Sequence, residues 1–243
     1  MKSRLDKILV EKGLAPSRER AQALIMEGKV FVNGMPSPKA GAMVAEDAAI
    51  ELKGEDIPYV SRGGLKLEAA VKHFNISLKD KTAMDVGSST GGFTDCMLQN
   101  GAKKIYCIDV GYGQLAWKLR QDQRIVLIER TNVRYLERNK IPDEIDIAAI
   151  DVSFISLTKV VPAVLEFLKK DGEIIALIKP QFEAGKGEVG KGGIVKDEAK
   201  RLKTVEYVRE SLESLGLETI GVMQSPIAGQ KGNIEFLIYM KRR

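Results

Sequence analysis

The sequence predicts an α/β protein: a large domain built on a mostly parallel sheet of seven strands, preceded by a small α+β domain. Three observations lead to this prediction. Short apolar runs alternate with amphipathic segments over residues 65–243, a glycine-rich turn follows the first of these runs, and the first 58 residues carry their own helix and hairpin signals. Alternating strands and helices favour a parallel sheet that is covered on both faces.

The apolar periodicity predicts the order and approximate bounds of the elements in the large domain. Strands are expected near residues 82–87, 104–109, 125–129, 146–151, 173–179, 218–224 and 234–240. Helices are expected near residues 65–74, 93–100, 113–120, 156–169 and 197–215. Residues 59–64, with the sequence YVSRGG, break the pattern and are interpreted as a linker, so the two domains are predicted to comprise residues 1–58 and 65–243.

The small domain is predicted from two helical apolar stripes and a short sheet. The stripes consist of Leu5, Ile8, Leu9, Ala21, Leu24 and Ile25. Ser17 is expected to cap the second helix, and Asn33-Gly34 is a strong signal for a two-residue hairpin turn. Residues 1–40 contain eight basic and four acidic residues, which suits contacts with phosphate groups, although a solvated helix face would carry the same charge.

The composition is typical of a globular protein rather than of a disordered or membrane-spanning one. The 243 residues are 44% apolar and 29% charged, no apolar run approaches the ~20 residues of a membrane helix, and no signal-peptide core follows the N-terminus. We therefore expect a cytoplasmic protein. Cys96 and Cys107 lack companion ligands in the sequence and are interpreted as buried apolar residues, and the single His73 as structural, so no metal site is expected.

The stretch from Asp85 to Asp95, DVGSSTGGFTD, is the strongest candidate for a ligand site. It joins a predicted strand to a predicted helix, whose N-terminus presents unpaired N–H groups and a positive dipole end to an anionic group. Asp109 ends the next strand, where a carboxylate can accept hydrogen bonds from both hydroxyls of a ribose. These features predict a nucleoside ligand, with an ordinary tight strand–helix turn as the alternative.

The spacing of the glycines favours one nucleoside cofactor. A dinucleotide fingerprint needs a glycine where the backbone approaches a pyrophosphate, and Ser89 occupies that position here. A ligand with a carboxylate and no pyrophosphate fits better. S-adenosylmethionine is such a ligand, and Asp85 could hold its ammonium group or a nearby backbone turn.

Charged residues stand where several predicted strands end, which is where ligands bind in parallel sheets. Asp151 and Lys179 each follow a fully apolar strand, and Glu235 interrupts the last apolar strand. Lys66 stands near the start of a helix, where the helix dipole mildly disfavours a cation. A structural salt bridge would explain any one of these residues, but the set of four predicts a functional site.

The whole chain resembles the TlyA/hemolysin A family. The segments that carry the resemblance are RGGLKL, DVGSSTGGFTD, DVGYGQLAWKLR, DVSFISL, LIKPQFE and SPIAGQKGNIEF. In addition, Lys66, Asp151, Lys179 and Glu235 look like the K-D-K-E set of ribose 2′-O-methyltransferases of the heat-shock RNA methyltransferase type. The resemblance implies a Rossmann-like methyltransferase fold and 2′-O-methylation of ribosomal RNA, at cytidine, with Lys179 as the central catalytic residue and the other three around it.

The resemblance also implies which residues bind S-adenosylmethionine. They lie in the glycine-rich turn and after the two strands that follow it: Asp85, Gly87, Ser88, Ser89, Thr90, Gly91, Gly92, Phe93, Thr94, Asp109, Val110 and Asn132.

RNA contacts are expected in both domains. The run RLDKILVEKGLAPSRERAQALIMEGKVFVNG resembles the small RNA-binding domain of ribosomal protein S-four, which implies that Arg4, Arg18 and Arg20 face structured RNA. Arg62 of the predicted linker is expected to contact RNA, as is the glycine-rich loop of residues 183–203 in the large domain, with Lys186 and Lys191. A disordered linker is the alternative interpretation of that loop.

The expected chemistry is the activation of a ribose hydroxyl, and two roles for Lys179 stay open. As a neutral amine it could accept the proton of the hydroxyl, and as an ammonium it could stabilise the developing alkoxide. An RNA-binding protein with an inactive methyltransferase fold is the main rival, base methylation is another, and a membrane-active hemolysin is the third. The expected partners are ribosomal RNA and the ribosomal subunits.

Overall fold

The computed structural model describes residues 2–15, 17–26, 28–37, 39–53, 57–185, 189–190, 192–229 and 232–243. The chain divides into two compact units, residues 1–58 and residues 59–243. Residues 59–64, interpreted above as a linker, belong to the second unit. Tyr59 is buried there, and the Val60 N–H donates to Asp95 Oδ2 at 2.8 Å. The reason is that Tyr59 carries enough apolar surface to join the core.

The described residues of the first unit form two helices and five short strands. They are β1 (Lys2–Arg4), α1 (Leu5–Glu11), α2 (Arg18–Met26), β2 (Val30–Val32), β3 (Met35–Pro36), β4 (Met43–Ala45) and β5 (Ile50–Leu52). Strand β1 pairs with β4, and β2 pairs with β3 and β5, in each case antiparallel. Asn33 and Gly34 both have positive φ and connect β2 to β3, so the predicted hairpin turn is present. Ser17 Oγ accepts a hydrogen bond from the Arg20 N–H at 3.2 Å, as expected of a helix cap.

The second unit contains helices and strands in alternation. They are α3 (Gly63–His73), β6 (Thr82–Val86), α4 (Gly92–Gln99), β7 (Lys104–Ile108), α5 (Trp117–Arg120), β8 (Ile125–Ile128), β9 (Ile145–Ile150), α6 (Leu157–Leu165), β10 (Leu168–Ile178), α7 (Pro180–Glu183), α8 (Glu198–Glu213), β11 (Leu217–Gln224) and β12 (Phe236–Arg242). Two 3₁₀ turns, Val133–Tyr135 and Arg138–Lys140, lie between β8 and β9.

The seven strands of the second unit form one sheet in the order β11-β12-β10-β9-β6-β7-β8. Strands β10, β9, β6, β7 and β8 are parallel neighbours. Strand β12 is antiparallel to both β10 and β11, so it alone runs against the others. The predicted mostly parallel, seven-stranded sheet is therefore confirmed.

Both faces of this sheet are covered, as the apolar strands predict. Along β9, Ala148 and Ile150 face one core, whereas Ile147 and Ala149 face the other, because successive side chains of a strand point to opposite faces. The first core includes residues of α6 and α8, and the second includes residues of α3, α4 and α5. Each fully buried isoleucine contributes about 1.5–3 kcal/mol relative to an exposed one.

Two predicted helices are too long. The helix predicted at 113–120 begins only at Trp117, because the Gly111 and Gly113 N–H groups donate to the carboxylates of Asp109 and Glu129 instead of starting a helix. The helix predicted at 156–169 ends at Leu165, and residues from Leu168 onwards join the sheet as β10. Among the residues that the structure describes, none of the helices has the length and apolar character needed to cross a bilayer.

Candidate active site

Gly87 and Gly91 shape the turn between β6 and α4. Both have positive φ, +84° and +94°, a conformation that costs an L side chain roughly 1–2 kcal/mol. A Cβ on Gly87 would also overlap the carbonyl oxygen of Asp151, and a Cβ on Gly91 would overlap the side chain of Leu119. The turn therefore lies directly against Asp151, whose N–H donates to Val86 O at 2.9 Å.

Asp85 stands at the end of β6, beneath this turn, and is fully buried. Its Oδ2 accepts a hydrogen bond from Thr94 Oγ1 at 2.5 Å. Burial raises the pKa of Asp85 to about 7, and the negative charges of Asp151 and Asp109 add to this shift, while Thr94 opposes it. Asp85 Oδ1 and the buried Ser88 Oγ have no hydrogen-bond partner among the described residues.

Asp109 connects the glycine-rich turn to the loop after β7. Its Oδ2 accepts from the Ser89 N–H at 2.7 Å, and its Oδ1 accepts from the Gly111 N–H at 2.6 Å. Val110 is 71% exposed. Asn132 has a local role, since its Oδ1 accepts from the Arg134 N–H at 3.1 Å and caps a 3₁₀ turn. The assignment of these residues to a cofactor stays a prediction.

Lys66 and Glu235 form the first of two ion pairs at the site. Lys66 lies on α3, Glu235 lies immediately before β12, and Lys66 Nζ donates to Glu235 Oε2 at 2.6 Å. Both residues are buried, at 8% and 2% exposure. Removing one member of such a pair leaves a buried charge unpaired, which costs about 3–5 kcal/mol.

Lys179 and Asp151 form the second ion pair. Lys179 Nζ lies 2.5 Å from Asp151 Oδ1 and donates to Ser153 Oγ at 2.9 Å. Asp151 follows β9 and Lys179 follows β10, so both stand at the same edge of two parallel neighbours. The antiparallel register of β10 and β12 ends at Ile178 and Phe236, and Lys179 and Glu235 are the next residues beyond that pair. The structure therefore brings the predicted set of four to one edge of the sheet.

The segments after β9 and β10 are joined by contacts that the sequence analysis missed. Glu183 Oε1 accepts from the Leu157 N–H at 2.8 Å, and burial raises the pKa of Glu183. The rings of Phe154 and Phe182 lie 4.8 Å apart, and Phe154 has φ +63°, which is unusual for an aromatic residue. These residues, like Ser153, lie within the segments DVSFISL and LIKPQFE, so the sequence analysis had identified the segments but not the individual residues that make these contacts.

The arginines predicted to contact RNA in the first unit are held by a buried acid. Asp6 is fully buried, and its carboxylate accepts from Arg4 Nε at 3.0 Å, Arg18 Nη2 at 3.2 Å and Gln22 Nε2 at 3.0 Å. The side chains of Arg4 and Arg18 stay 47% and 53% exposed. Arg20 lies near Ser17, at the start of α2.

The RNA contacts predicted in the second unit are only partly described. Arg62 is exposed and donates to Ala228 O at 3.5 Å, whereas Lys186 and Lys191 lie outside the described residues. The expected loop of residues 183–203 is too long, because α8 begins at Glu198. Part of it is anchored, since Asn233 accepts from the Val195 N–H at 3.2 Å and donates to Gly193 O at 2.9 Å.

Fold and site together define a class of protein, the Rossmann-like methyltransferases. A parallel sheet with one reversed strand carries a glycine-rich turn after its first strand and charged residues at the neighbouring strand ends. Solved S-adenosylmethionine-dependent methyltransferases share this fold with the chain at 14–17% sequence identity. More specifically, the chain belongs to the FtsJ-like methyltransferase family, which matches residues 59–242, and it carries an S4 domain, matched over residues 3–48.

Similar proteins cover nearly the whole chain. YqxC of Bacillus subtilis (strain 168) is 49% identical over 98% of this chain and 85% of its own length. The 16S/23S rRNA (cytidine-2′-O)-methyltransferase TlyA of Mycobacterium tuberculosis (strain H37Rv) is 42% identical over 99% of this chain and 90% of its own length. A solved Streptococcus thermophilus structure that carries the hemolysin name is 45% identical, with a TM-score of 0.79 over 99% of this chain and 88% of that one. The resemblance to the TlyA/hemolysin A family is thus confirmed.

Proposed function

We propose that this chain uses S-adenosylmethionine to methylate the ribose 2′-oxygen of cytidine in ribosomal RNA. The observation that carries the proposal is the Lys179–Asp151 ion pair, which stands directly beside the glycine-rich turn at Gly87. The substrate and the position of the methyl group follow the name of the mycobacterial relative, a 16S/23S rRNA (cytidine-2′-O)-methyltransferase.

The cofactor assignment is supported by buried oxygen atoms that lack partners. Asp85 Oδ1 and Ser88 Oγ are such atoms within the described residues, and buried polar groups are normally hydrogen-bonded. Asp85 would hold the ammonium of the methionine part, and the N-terminus of α4 its carboxylate. Asp109 would hold the ribose hydroxyls, since each of its oxygens accepts one N–H and retains capacity for a second hydrogen bond.

The catalytic proposal assigns one task to each ion pair. When bound, S-adenosylmethionine supplies an electrophilic methyl group on its sulfonium. Lys179, which Asp151 holds in place, would stabilise the negative charge that develops on the 2′-oxygen as the hydroxyl proton passes to solvent. Lys66 and Glu235 would orient the ribose, because positioning the reacting atoms can supply about 7–11 kcal/mol of the barrier.

RNA recognition would begin in the S4 domain. Arg4 and Arg18 keep about half of their side chains exposed while Asp6 fixes one edge of each guanidinium, which suits contacts with phosphate oxygens. Arg20, Arg62, Lys186 and Lys191 complete the proposed contact set. The substrate would be ribosomal RNA within ribosomal subunits, which assigns the enzyme to the cytoplasm.

Nucleoside analysis of treated RNA tests this proposal. The protein is incubated with S-adenosylmethionine and with naked ribosomal RNA, isolated small and large subunits, or intact ribosomes, and the RNA is digested to nucleosides for mass spectrometry. We expect 2′-O-methylcytidine. A methyl group on the base would overturn the proposed chemistry. Binding of cofactor and RNA without any methyl transfer would favour the rival RNA-binding protein with an inactive fold.

A further inference from the structure

Gly229 lies in the loop between β11 and β12, and its backbone does not require a glycine. Eleven glycines of the described chain have positive φ, and Gly229 is not one of them. Any L residue can adopt its backbone conformation without the left-handed strain that explains Gly87 or Gly91. The reason for a glycine at this position must therefore lie in the space around it.

That space is filled by the carboxylate of Glu235. A Cβ on Gly229 would overlap Oε1 and Cδ of Glu235 and would lie 3.0 Å from Oε2, which is the atom that accepts the hydrogen bond from Lys66 Nζ. All three of the nearest atoms belong to this one carboxylate. The missing side chain of Gly229 is thus what allows Glu235 to reach Lys66.

Two hydrogen bonds hold the N–H and the carbonyl oxygen of Gly229 in place. The Gly229 N–H donates to Asn233 O at 2.8 Å, and the Gly232 N–H donates to Gly229 O at 3.2 Å. At the base of the loop, the Ser225 N–H donates to Glu235 O at 2.8 Å. A Cβ at position 229 would lie 1.9 Å from Glu235 Oε1, and Cβ atoms essentially never approach other heavy atoms below 3.0 Å, so the end of the Glu235 side chain would have to move by roughly 1 Å.

We propose that Gly229 is a positioning residue for methyl transfer, which acts by leaving the Glu235 carboxylate room to pair with Lys66. The inference rests on the proposed function. A displaced carboxylate disturbs a buried ion pair, so some loss of stability is expected, whereas the loss of rate comes from the changed geometry of that pair. A displacement of 1 Å in an active site can reduce the rate about 10²-fold.

The test compares Gly229→Ala with Ala228→Ser, which adds one atom to an exposed neighbour in the same loop. We expect Gly229→Ala to stay folded with a lower melting temperature, to keep the cofactor affinity of the unchanged protein, to lower the single-turnover rate of methyl transfer by about 10²-fold, and to show a displaced Glu235 carboxylate in its crystal structure. Ala228→Ser should leave all four quantities unchanged.

A double-mutant comparison shows whether Gly229 acts through Glu235. In Glu235→Asp the carboxylate is shorter and leaves room for a Cβ, so adding Gly229→Ala to it should cause no further loss of rate. Equal rates for Gly229→Ala and the unchanged protein, or a further loss in the Glu235→Asp background, would overturn the inference. Absence of methyl transfer by the unchanged protein would instead overturn the proposed function, and the inference with it.

Discussion

Lys179 and Glu235 each stand one residue beyond Ile178 and Phe236, the pair at which the antiparallel register of β10 and β12 ends. Each has a different counter-ion, because Lys179 pairs with Asp151 and Glu235 pairs with Lys66. Ile178 and Phe236 are directly opposite, and the Cα atoms of such residues lie about 4.5–5.5 Å apart. The two ion pairs are therefore neighbours, and a change in one is expected to affect the other.

Replacing Asp109 is expected to weaken cofactor binding and to leave RNA binding unchanged. Asp109→Ala removes the acceptor proposed for the ribose hydroxyls, and hydrogen bonds to charged groups contribute about 1.5–3 kcal/mol each. We therefore expect the dissociation constant for S-adenosylmethionine to rise at least ~10-fold in calorimetry. Asp109→Asn keeps the shape of the side chain, so its dissociation constant for S-adenosylmethionine should lie between those of the unchanged protein and Asp109→Ala. Unchanged cofactor affinity in both variants would refute the assignment.

The buried Asp85 should make the stability of the second unit depend on pH. Its pKa is raised to about 7 from about 3.9 in an unfolded chain, so the folded state binds more protons between these values and its stability falls as the pH rises from about 4 to about 7. Asp85→Asn removes this titration. The unfolding free energy of the unchanged protein, measured relative to that of the variant, should therefore decrease across this window.

A matched control for this measurement is Asp122→Asn. The Arg124 guanidinium lowers the pKa of Asp122, so its titration affects stability only below about pH 4. Between pH 4 and pH 7 the unfolding free energy of Asp122→Asn should therefore differ from that of the unchanged protein by a constant amount. A constant difference between the unchanged protein and Asp85→Asn over the same range would show that Asp85 does not titrate there.

Loss of the Asp6 carboxylate should destabilise the S4 domain. Arg4, Arg18 and Gln22 all donate to this buried group, and leaving such donors without a charged acceptor costs about 1–3 kcal/mol. We expect Asp6→Asn to accelerate amide hydrogen exchange in α1 and α2. Glu11→Gln, which removes an exposed ion pair with Lys7, should change exchange little; equal effects of both variants would contradict the role given to Asp6.

Removal of residues 1–58 should separate RNA binding from cofactor binding. The second unit has its own cores and contains every residue of the proposed cofactor site, so a chain that begins at Tyr59 is expected to bind S-adenosylmethionine with unchanged affinity. It should bind ribosomal RNA weakly in filter-binding or anisotropy assays, because the S4 domain is absent. Full methylation of ribosomal substrate by the shortened chain would remove the role assigned to that domain.

The sheet and most of the site could be predicted because their signals are local. The apolar strands that end at Asp151 and Lys179 and the glycines of the turn after β6 are each visible in a few consecutive residues. The position of Lys66 was notable for the opposite reason, since a lysine at a helix start is mildly unfavourable. Its partner Glu235 is 169 residues away, so the sequence could place both residues in one charged set but could not show that they pair with each other.

Features that depend on tertiary contacts could not be predicted. The loop from residue 110 to 116 is held by Asp109 and Glu129 rather than by helical hydrogen bonds, so its helical pattern was misleading. Nothing local in the sequence marks Asp6 as buried, and only the fold shows that its carboxylate pairs with Arg4 and Arg18. Gly229 carries no signal of its own, because its neighbour Glu235 is brought to it by the loop.

The central claim, that Lys179 enables methyl transfer to a ribose oxygen, is tested most directly by alkaline hydrolysis of treated ribosomal RNA. A 2′-O-methyl group blocks attack on the adjacent phosphodiester, so the unchanged protein should produce one alkali-resistant linkage per modified site. Lys159→Ala, which changes an exposed lysine on α6, should produce the same linkage. Lys179→Ala should fold and bind cofactor, but the rate at which it forms the alkali-resistant linkage should be at least ~10²-fold lower. An alkali-sensitive methylated RNA, or undiminished resistance with Lys179→Ala, would contradict the claim.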